Sequence, residues 1–408
     1  MRLSARTLLA FVHKLYSRWM IVLFIFGVLA LLAAYSPDAS VLAAPYSVTD
    51  ICPGTGIAAW TAEFEPDGIV LASFDRASMW VYNIGNNARY PLPDTYPCGA
   101  NCRLSPDSQW VTFLNSQNSA YGKMRLDGTE RTDLVLYAND VEWWNPDTLL
   151  VWTPGHEAYL QPESDNANRE YLSVNSVLSI QPGGRWGLAI EQQGDDFTRY
   201  LSNLETRGLQ GIAEQRIPLG VALPYFDAAA WSPDGASLAY VASGPFDDSV
   251  SNWGSEIWGI RPADDPPTPT QWTHLYDTYG ASRINGRAVG QLSWSPNSTR
   301  IAFWVIELIG PDVVGNTGNA IIHVLNIATG DVQKYCGYST TEHSPNPPRI
   351  VWSPDSTHLA FGGNVPGDDK GYLLLALDTT TGVFTELSNG IYPAYGTADP
   401  VAWGLPPT

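Results

Sequence analysis

Three pairs of adjacent aspartates and a few loop tyrosines are the residues whose chemistry points most directly to a ligand. The candidate ligand-binding residues are Asp195, Asp196, Tyr225, Asp247, Asp248, Tyr279, His343, Asp368, Asp369 and Tyr395. Aromatic rings stack on the apolar face of a sugar or peptide, and carboxylates accept hydrogen bonds from hydroxyl or ammonium donors. These types together favour a glycan or peptide ligand. The alternative is that the aspartates are ordinary hairpin residues and the aromatics pack loops.

Carboxylates grouped on one face are also hard-oxygen ligands that Ca²⁺ accepts. The aspartate pairs lack the Asp-x-Asp-x-Asp-Gly spacing of a calcium loop, so we expect no cofactor, with calcium as the alternative. Cys98 and Cys102 are spaced as metal ligands can be, but no histidine lies near them in the sequence. We therefore expect no metal site at these cysteines.

A hydrolase needs a nucleophile, a base and an orienting acid, and the sequence contains neither Gly-x-Ser-x-Gly nor His-Glu-x-x-His. After residue 45 the histidines are His156, His274, His323, His343 and His358. His358 directly precedes the apolar run Leu359-Ala-Phe, which indicates a structural role. The sequence thus favours a protein without catalysis of its own.

A repeated turn must position these residues. Trp231-Ser-Pro-Asp-Gly recurs as Trp294-Ser-Pro-Asn and Trp352-Ser-Pro-Asp. Fainter copies begin at Phe64, Leu104, Trp144, Ile180 and Val401. The first copies are about 40 residues apart, which is the length of a four-stranded propeller blade. The sequence therefore predicts a repeat architecture over the whole chain after its N-terminal segment.

Each repeat joins a turn to an apolar strand. Proline fixes the φ angle that the second turn position requires, and Asp or Asn is tolerated at the third position. Glycine, at the fourth position, adopts a positive φ easily. The strand that follows alternates large residues with alanine, as in Leu238-Ala-Tyr-Val, so we expect both of its faces to be buried. In some copies the final glycine is replaced by serine or threonine, at Ser108, Thr148, Ser298 and Ser356. A positive φ would be strained there, so type I turns are expected.

The repeat resembles the WD40-like (PD40) repeat of TolB-type β-propellers, over residues 50–408. The resemblance implies an all-β fold of seven four-stranded blades, with six or eight as alternatives. It does not imply one function, because a propeller is a scaffold for many activities. Some seven-bladed relatives are polysaccharide lyases with a histidine-bound metal. A metal-assisted polysaccharide lyase or hydrolase using His274 and His343 at the funnel mouth is therefore the alternative function.

The repeat positions predict where each blade lies. We expect first-blade strands at 57–64, 69–74, 79–84 and 88–92, and later blades at 101–137, 141–174, 177–219, 228–276, 289–336 (with an insertion at 307–319) and 349–388. Pro400-Val-Ala-Trp should add a strand at the seam or stack as an extra edge. On this scheme the aspartate pairs and the loop aromatics share one face of the ring, and the Ser-Pro-Asp turns lie on the opposite face.

Residues 1–45 read as a targeting segment, and residues 46–408 as the propeller domain. Four basic residues, Arg2, Arg6, Lys14 and Arg18, precede the apolar run from Met20 to Tyr35. This is the charge order of a secretory signal, either cleaved or retained as an anchor helix that tethers the protein through residues 16–35. Under both readings the propeller lies outside the cytoplasmic membrane.

The four cysteines suit an oxidising compartment, and three pairings of them exist. Cys98 and Cys102 are close enough in sequence for one disulfide. Cys52 and Cys336 precede the predicted first and last inner strands, which are neighbours in a closed ring. The second predicted disulfide, Cys52–Cys336, would therefore hold the seam.

The overall charge excludes one class of partner. A net charge of −19 would repel the phosphates of nucleic acids. The 31 prolines and 36 glycines beside 44% apolar residues indicate a turn-rich globular protein. We therefore predict a monomeric extracytoplasmic binding module, without catalysis of its own, that recognises a protein, peptide or carbohydrate on its acidic, aromatic face.

Overall fold

The computed structural model describes most of the chain from residue 56 onwards. The described residues are 56–61, 64, 67–73, 78–96, 102–155, 157–165, 167–194, 196–222, 228–243, 255–280, 282–285, 292–309, 317–340, 347–364, 372–387 and 399–407. Within them the strands form seven sheets, and consecutive sheets come from consecutive stretches of chain. The protein is an all-β propeller with seven blades, as predicted.

The strands follow the repeat in chain order. Before the first blade comes β1 (Ile57–Ala59). Blade 1 contains β2 (Ile69–Ser73), β3 (Met79–Asn83) and β4 (Ala88–Leu92). Blade 2 contains β5 (Trp110–Leu114), β6 (Ala120–Arg125) and β7 (Thr132–Leu136). Blade 3 contains β8 (Asp140–Asn145), β9 (Thr148–Trp152), β10 (Ala158–Pro162) and β11 (Glu170–Leu172). Blade 4 contains β12 (Val177–Ile180), β13 (Trp186–Gln193), β14 (Asp196–Asn203) and β15 (Arg216–Val221).

The second half of the ring continues in the same way. Blade 5 contains β16 (Ala229–Trp231), β17 (Leu238–Ala242), β18 (Glu256–Ile260) and β19 (Thr270–Gln271). The short helix α1 (Leu275–Tyr279) follows it. Blade 6 contains β20 (Ser282–Ile284), β21 (Ser293–Trp294), β22 (Arg300–Leu308), β23 (Thr317–Asn326) and β24 (Val332–Thr340). Blade 7 contains β25 (Ile350–Trp352), β26 (His358–Asn364), β27 (Tyr372–Asp378) and β28 (Phe384–Glu386), and the chain ends with β29 (Asp399–Gly404).

Both ends of the domain contribute to ring closure. β29 pairs antiparallel with β2, with Trp403 opposite Val70, and so supplies the inner strand of blade 1. The prediction of a closing strand at the seam is confirmed, and the prediction of residues 57–64 as that inner strand is wrong. β1 instead pairs parallel with β28, with Ile57 opposite Phe384, as a fifth strand of blade 7. Ala58-Ala-Trp60 matches the inner strand Ala229-Ala-Trp231 as well as Val401-Ala-Trp403 does, so the sequence pattern does not distinguish the two candidate strands.

The strands that follow the motif turns are buried on both faces, as their alternating large and small residues predict. In β17, Leu238 to Val241 are all buried, and the hydrophobic clusters join residues of neighbouring blades. Trp304 of blade 6, for example, contacts Phe361 of blade 7 edge to face, with ring centroids 5.7 Å apart. The core therefore lies between the sheets, and each blade depends on its neighbours for burial.

Hydrogen bonds within the motif turn explain its composition. The hydroxyl of Ser232 donates to Asp234 Oδ1 at 2.6 Å and accepts from the backbone N–H of Ser237 at 3.0 Å. Asp234 Oδ1 also accepts from the N–H of Ala236. The copy at Ser353 and Asp355 makes the same hydroxyl-to-carboxylate bond, also at 2.6 Å. Serine and aspartate are thus needed to hold the turn, since each bonds the backbone locally.

The expectation that the residues replacing glycine avoid a positive φ is wrong at three of four positions. Ser108, Ser298 and Ser356 have φ of 59°, 57° and 63°. Thr148 begins β9 and is not among the positive-φ residues of the described chain. Two of the serines gain a compensating bond, because Ser298 Oγ accepts from the N–H of Asp234 and Ser356 Oγ accepts from the N–H of Asn297. These bonds to the preceding blade offset a left-handed conformation that costs about 1–2 kcal/mol.

Blade 6 departs from its predicted boundaries. Its inner edge already begins with β20, before the predicted start at residue 289, because both β20 and β21 pair with β22. The predicted insertion at 307–319 is shorter than expected, since β22 extends to Leu308 and β23 begins at Thr317. Among the described residues, no helix has the length and apolar character needed to cross a membrane.

Candidate functional site

The inner strands surround a cavity of about 1000 Å³ that all seven blades line. Lining residues come from β29 of blade 1, from residues 102–108 of blade 2 and from residues 142–146 of blade 3. Blades 4, 5, 6 and 7 add Pro182, Trp231, Ser293 and Ile350, among others. We call this cavity the central channel. A concave site of this size suits a small ligand or a segment of a larger one.

One end of the central channel is built from the repeated turns. Pro106, Pro146, Pro182, Pro233 and Pro296 all line it, and each is the proline of one motif copy. Because each turn joins an inner strand to the next strand of its blade, the turns collect at one face of the ring. The repeat therefore forms a mouth of the channel as well as building the ring.

Three tryptophans of the channel wall are anchored to the preceding blade. Trp294 Nε1–H donates to the carbonyl of Ala230 at 2.9 Å, and Trp352 Nε1–H donates to the carbonyl of Ser293 at 2.8 Å. Trp143 Nε1–H donates to the carbonyl of Arg103 at 3.3 Å. Each bond crosses from one blade to the preceding one. The indole rings are thereby fixed in position, which makes this part of the wall preorganised.

A charged group lies where blades 2 and 3 meet the channel. Arg103 Nη2 is 2.8 Å from Asp140 Oδ2, and both side chains are about one-fifth exposed. Burial raises the pKa of Asp140, although Arg103 and the N–H of Val141 act in the opposite direction. The ion pair is therefore held in a site where desolvation is a substantial cost.

Glu142 lies two residues further along the same inner strand and lines the channel. Its Oε1 accepts a hydrogen bond from Trp152 Nε1–H at 2.9 Å. Burial raises the pKa of Glu142, and the nearby Asp140 adds to this, while Arg103 and the Trp152 bond lower it. Within the part of the chain that the structure describes, Glu142 Oε2 has no hydrogen-bond partner. This oxygen can accept a bond from a ligand.

The structure places little of the predicted ligand-binding set. Asp196 begins β14, without a described side chain. Tyr279 is buried in the core between blades 5 and 6, where its hydroxyl is 2.6 Å from His323 Nε2. The remaining members lie outside the described residues: Asp195, Tyr225, Asp247, Asp248, His343, Asp368, Asp369 and Tyr395. Their role in binding stays a prediction.

His323 was not singled out from the sequence, and it is fully enclosed. Its Nδ1 is 3.1 Å from the carbonyl of Ile321, and its ring stacks on Phe303. Burial lowers the pKa of His323 to about 4 and raises that of Tyr279 to about 12. The pair is therefore a neutral hydrogen-bonded unit in the core.

The other described histidines have different surroundings. His358 is buried in β26, where its ring contacts Phe64 edge to face and its Nδ1 is 2.7 Å from Thr357 Oγ1. Burial lowers the pKa of His358. His274 is exposed beside Gln271. His156 lies outside the described residues.

No group of three or more His, Cys, Asp or Glu residues able to hold a metal occurs in the described ranges. The calcium alternative concerned aspartate pairs whose side chains lie outside those ranges, so it stays untested. Cys102 and Cys336 are described, and their predicted partners Cys98 and Cys52 are not. Cys336 lies on β24, the outer strand of blade 6. Both disulfide pairings stay predictions.

Comparisons with known proteins concern the fold alone. No protein-family model matches the sequence, and no curated protein is significantly similar to it. The PD40 assignment of the repeat therefore stays a prediction.

Several solved structures resemble this fold at low identity. TolB from Acinetobacter baumannii is 13% identical with a TM-score of 0.42, over 87% of this chain and 88% of that one. An oligogalacturonate lyase from Vibrio parahaemolyticus is 10% identical with a TM-score of 0.49, over 79% and 84%. A Mycobacterium tuberculosis puromycin-hydrolyzing peptidase is 12% identical with a TM-score of 0.46 over 84% of this chain, which spans 54% of the peptidase's length.

Proposed function

We propose that this protein is a non-catalytic binding module that holds an extended peptide segment of a protein partner in its central channel. The observation that carries the proposal is the channel itself, with its volume of about 1000 Å³ and a wall to which all seven blades contribute. The fold alone would not support this function, since propellers serve many activities.

The chemistry of the wall favours a peptide. Prolines and the half-buried Trp143, Trp144 and Trp231 line the wall, as in grooves that recognise extended peptides. Glu142 and Asp234 add carboxylate acceptors, and Arg103 and Arg349 add guanidinium donors. A peptide backbone and its side chains offer partners for both kinds of group. A glycan is the other ligand class that such a wall can hold, and the experiment below distinguishes the two.

The acidic and aromatic loop residues named in the sequence analysis, apart from the buried Tyr279, are proposed to form the opposite mouth of the channel. This assignment follows from the order of strands, because loops after the second strand of a blade lie on the face opposite the motif turns. The ligand would then contact the motif turns at one mouth and the Asp and Tyr residues at the other.

The protein is proposed to act as a monomer outside the cytoplasmic membrane, either secreted or anchored by residues 16–35. The basic residues before the apolar run support this location. Disulfides Cys52–Cys336 and Cys98–Cys102 are proposed to stabilise the domain there. Non-reducing peptide mapping that links Cys52 to Cys98 or Cys102 would contradict the pairing.

The function is tested by screening the purified full-length chain against an immobilised peptide library, cell-wall glycans and pectic oligosaccharides, with divalent metal and with chelator. We expect saturable peptide binding without turnover. Ser293→Trp, which adds a large side chain to the channel wall, should weaken binding at least tenfold. Thr380→Trp, on an exposed hairpin, is the matched control and should not.

Two outcomes of this screen would contradict the proposal. Binding of glycans but not peptides would assign the channel to carbohydrate. Turnover of a glycan that chelator and His343→Ala both abolish would identify a metal-assisted lyase or hydrolase.

A further inference from the structure

We infer that the blade 3 side of the central channel is a subsite for a cationic side chain, an alkylammonium or a guanidinium, bound at Glu142. The inference deepens the proposed function and rests on it: the peptide held in the channel would present a lysine or arginine at this position. The chemistry that identifies the ligand is a local imbalance of charge where blades 2 and 3 meet, with the carboxylates of Asp140 and Glu142 beside the single guanidinium of Arg103.

Two carboxylates share one guanidinium where blades 2 and 3 meet the channel. Asp140 is bonded to Arg103 at 2.8 Å, so that this pair is close to neutral. Arg103 and Asp140 are also the charged groups whose fields act on Glu142. The second carboxylate, Glu142, has no cation of its own among the described residues. A cationic ligand group would balance the site.

Glu142 is arranged to accept such a group. Trp152 Nε1–H bonds Oε1 at 2.9 Å and fixes the orientation of the carboxylate, which leaves Oε2 for a donor from the channel. Charge-assisted hydrogen bonds of this kind are about twice as strong as neutral ones. Because burial makes the ionised carboxylate costly, an arriving cation gains more here than at an exposed glutamate.

The surroundings of Glu142 suit the rest of such a side chain. Trp143 and Trp144 follow it on β8 and line the same cavity. Indole surfaces pack against the methylene stem of lysine and attract its ammonium group. Arg349, the other guanidinium of the wall, belongs to blade 7, on the far side of the ring. The net charge of −19 also favours the approach of cationic peptides.

The indole N–H of Trp152 gives a direct readout, since it is bonded to the proposed ligand residue. Its cross-peak in a ¹H–¹⁵N correlation spectrum of the full-length chain can be assigned with Trp152→Phe. The probes are two acetylated and amidated pentapeptides, Gly-Ala-Lys-Ala-Gly and the same peptide with norleucine in place of lysine. Norleucine keeps the aliphatic stem and removes the charge.

We expect the lysine peptide to shift the Trp152 cross-peak in a saturable way and the norleucine peptide to bind at least tenfold more weakly. Glu142→Gln, which keeps an oxygen for Trp152, should lose about tenfold in affinity for the lysine peptide. Glu170→Gln removes an exposed carboxylate from an ion pair with Arg185 and should leave that affinity unchanged.

The alternative results are distinguishable. Equal binding of both peptides, with shifts of channel indoles, would overturn the cationic subsite and leave the binding function standing. Equal affinity of Glu142→Gln and the unchanged protein for the lysine peptide would also overturn the subsite. Saturable binding of neither these peptides nor any member of the peptide library would overturn both proposals.

Discussion

The surroundings of His323 determine its protonation state. It is 1% exposed and stacks on Phe303. Its Nδ1–H donates to the carbonyl of Ile321, and its Nε2 accepts from the hydroxyl of Tyr279. Charging the ring would place a cation in a hydrophobic cluster, so that the neutral form is strongly favoured. The sequence contains no local signal for this, because His323 and Tyr279 are 44 positions apart.

The lowered pKa of His323 predicts a pH dependence of stability. The folded-state pKa is about 4, below the ordinary value of 6.5, so the unfolded chain binds the proton more readily. The stabilising contribution is therefore complete above pH 6.5 and is lost as the pH falls from 6.5 to about 4. The free energy of unfolding should decrease in that window by up to about 1.4 kcal/mol per pH unit from this residue.

Denaturant titrations at several pH values, with His323→Gln as the variant, measure this contribution. The variant should be less stable at pH 7 and should have a shallower loss of stability between pH 6.5 and 4. The exposed His274→Gln serves as the control and should keep the slope of the unchanged protein. If the free energy of unfolding changed with pH in the same way for all three proteins, the charge of His323 would be the same in the folded and unfolded states, which would contradict the prediction.

At the scale of elements, the motif turns link blades to each other. Ser298 Oγ in blade 6 accepts from the N–H of Asp234 in blade 5, at 3.1 Å. Ser356 Oγ in blade 7 accepts from the N–H of Asn297 in blade 6, at 3.3 Å. The tryptophan that precedes each of these turns makes a second bond to the preceding blade. A motif that looks purely local in the sequence therefore also carries contacts between neighbouring sheets.

The hydroxyl of Ser298 should increase the stability of the folded protein, and its positive φ should decrease that stability. Ser298→Ala loses the bond to Asp234 and keeps the strained φ of 57°, so it should destabilise the protein by about 1 kcal/mol. Ser298→Gly loses the same bond but relieves the strain, so it should cost less. Guanidinium unfolding of both variants measures the difference. A glycine variant less stable than the alanine variant would contradict this account.

Local patterns predicted most elements well, and the exceptions have physical causes. The strand after each motif turn and the closing strand β29 follow from residues adjacent in the sequence. The positive φ of Ser298 was not predicted, because the bond that compensates it comes from another blade. β1 was assigned to the wrong blade because three apolar residues, Ile57-Ala-Ala, do not specify which sheet edge they join.

For the whole molecule, the two ends of the domain join two neighbouring blades and so close the ring. The C-terminal β29 completes blade 1, and the N-terminal β1 extends blade 7. Trp403, fully buried in β29, packs in one cluster with Tyr82 of blade 1 and Leu374 of blade 7. The seam is thus closed by apolar packing as well as by strand pairing, which keeps the channel wall continuous.

The candidate site was predicted less well than the fold. The sequence directed attention to aspartate pairs and loop tyrosines, because these types bind ligands in many proteins. Glu142, Arg103 and Asp140 were missed, since nothing in the sequence marks them as neighbours before the ring closes. A usable signal was present: Glu142 lies two residues before the motif tryptophan Trp144, at a position that is apolar in the clearest copies, Ala229, Leu292 and Ile350.

Photo-cross-linking tests the central claim, that the ligand occupies the central channel, most directly. A diazirine-bearing version of the tightest peptide from the library would be irradiated on the full-length chain, and the adducts mapped by mass spectrometry. We predict adducts within residues 102–108, 142–146 and 231–234, suppressed by Ser293→Trp. Adducts confined to outer strands such as β7 and β15, or to residues 244–254 and 365–371, without any in the channel wall, would contradict the account.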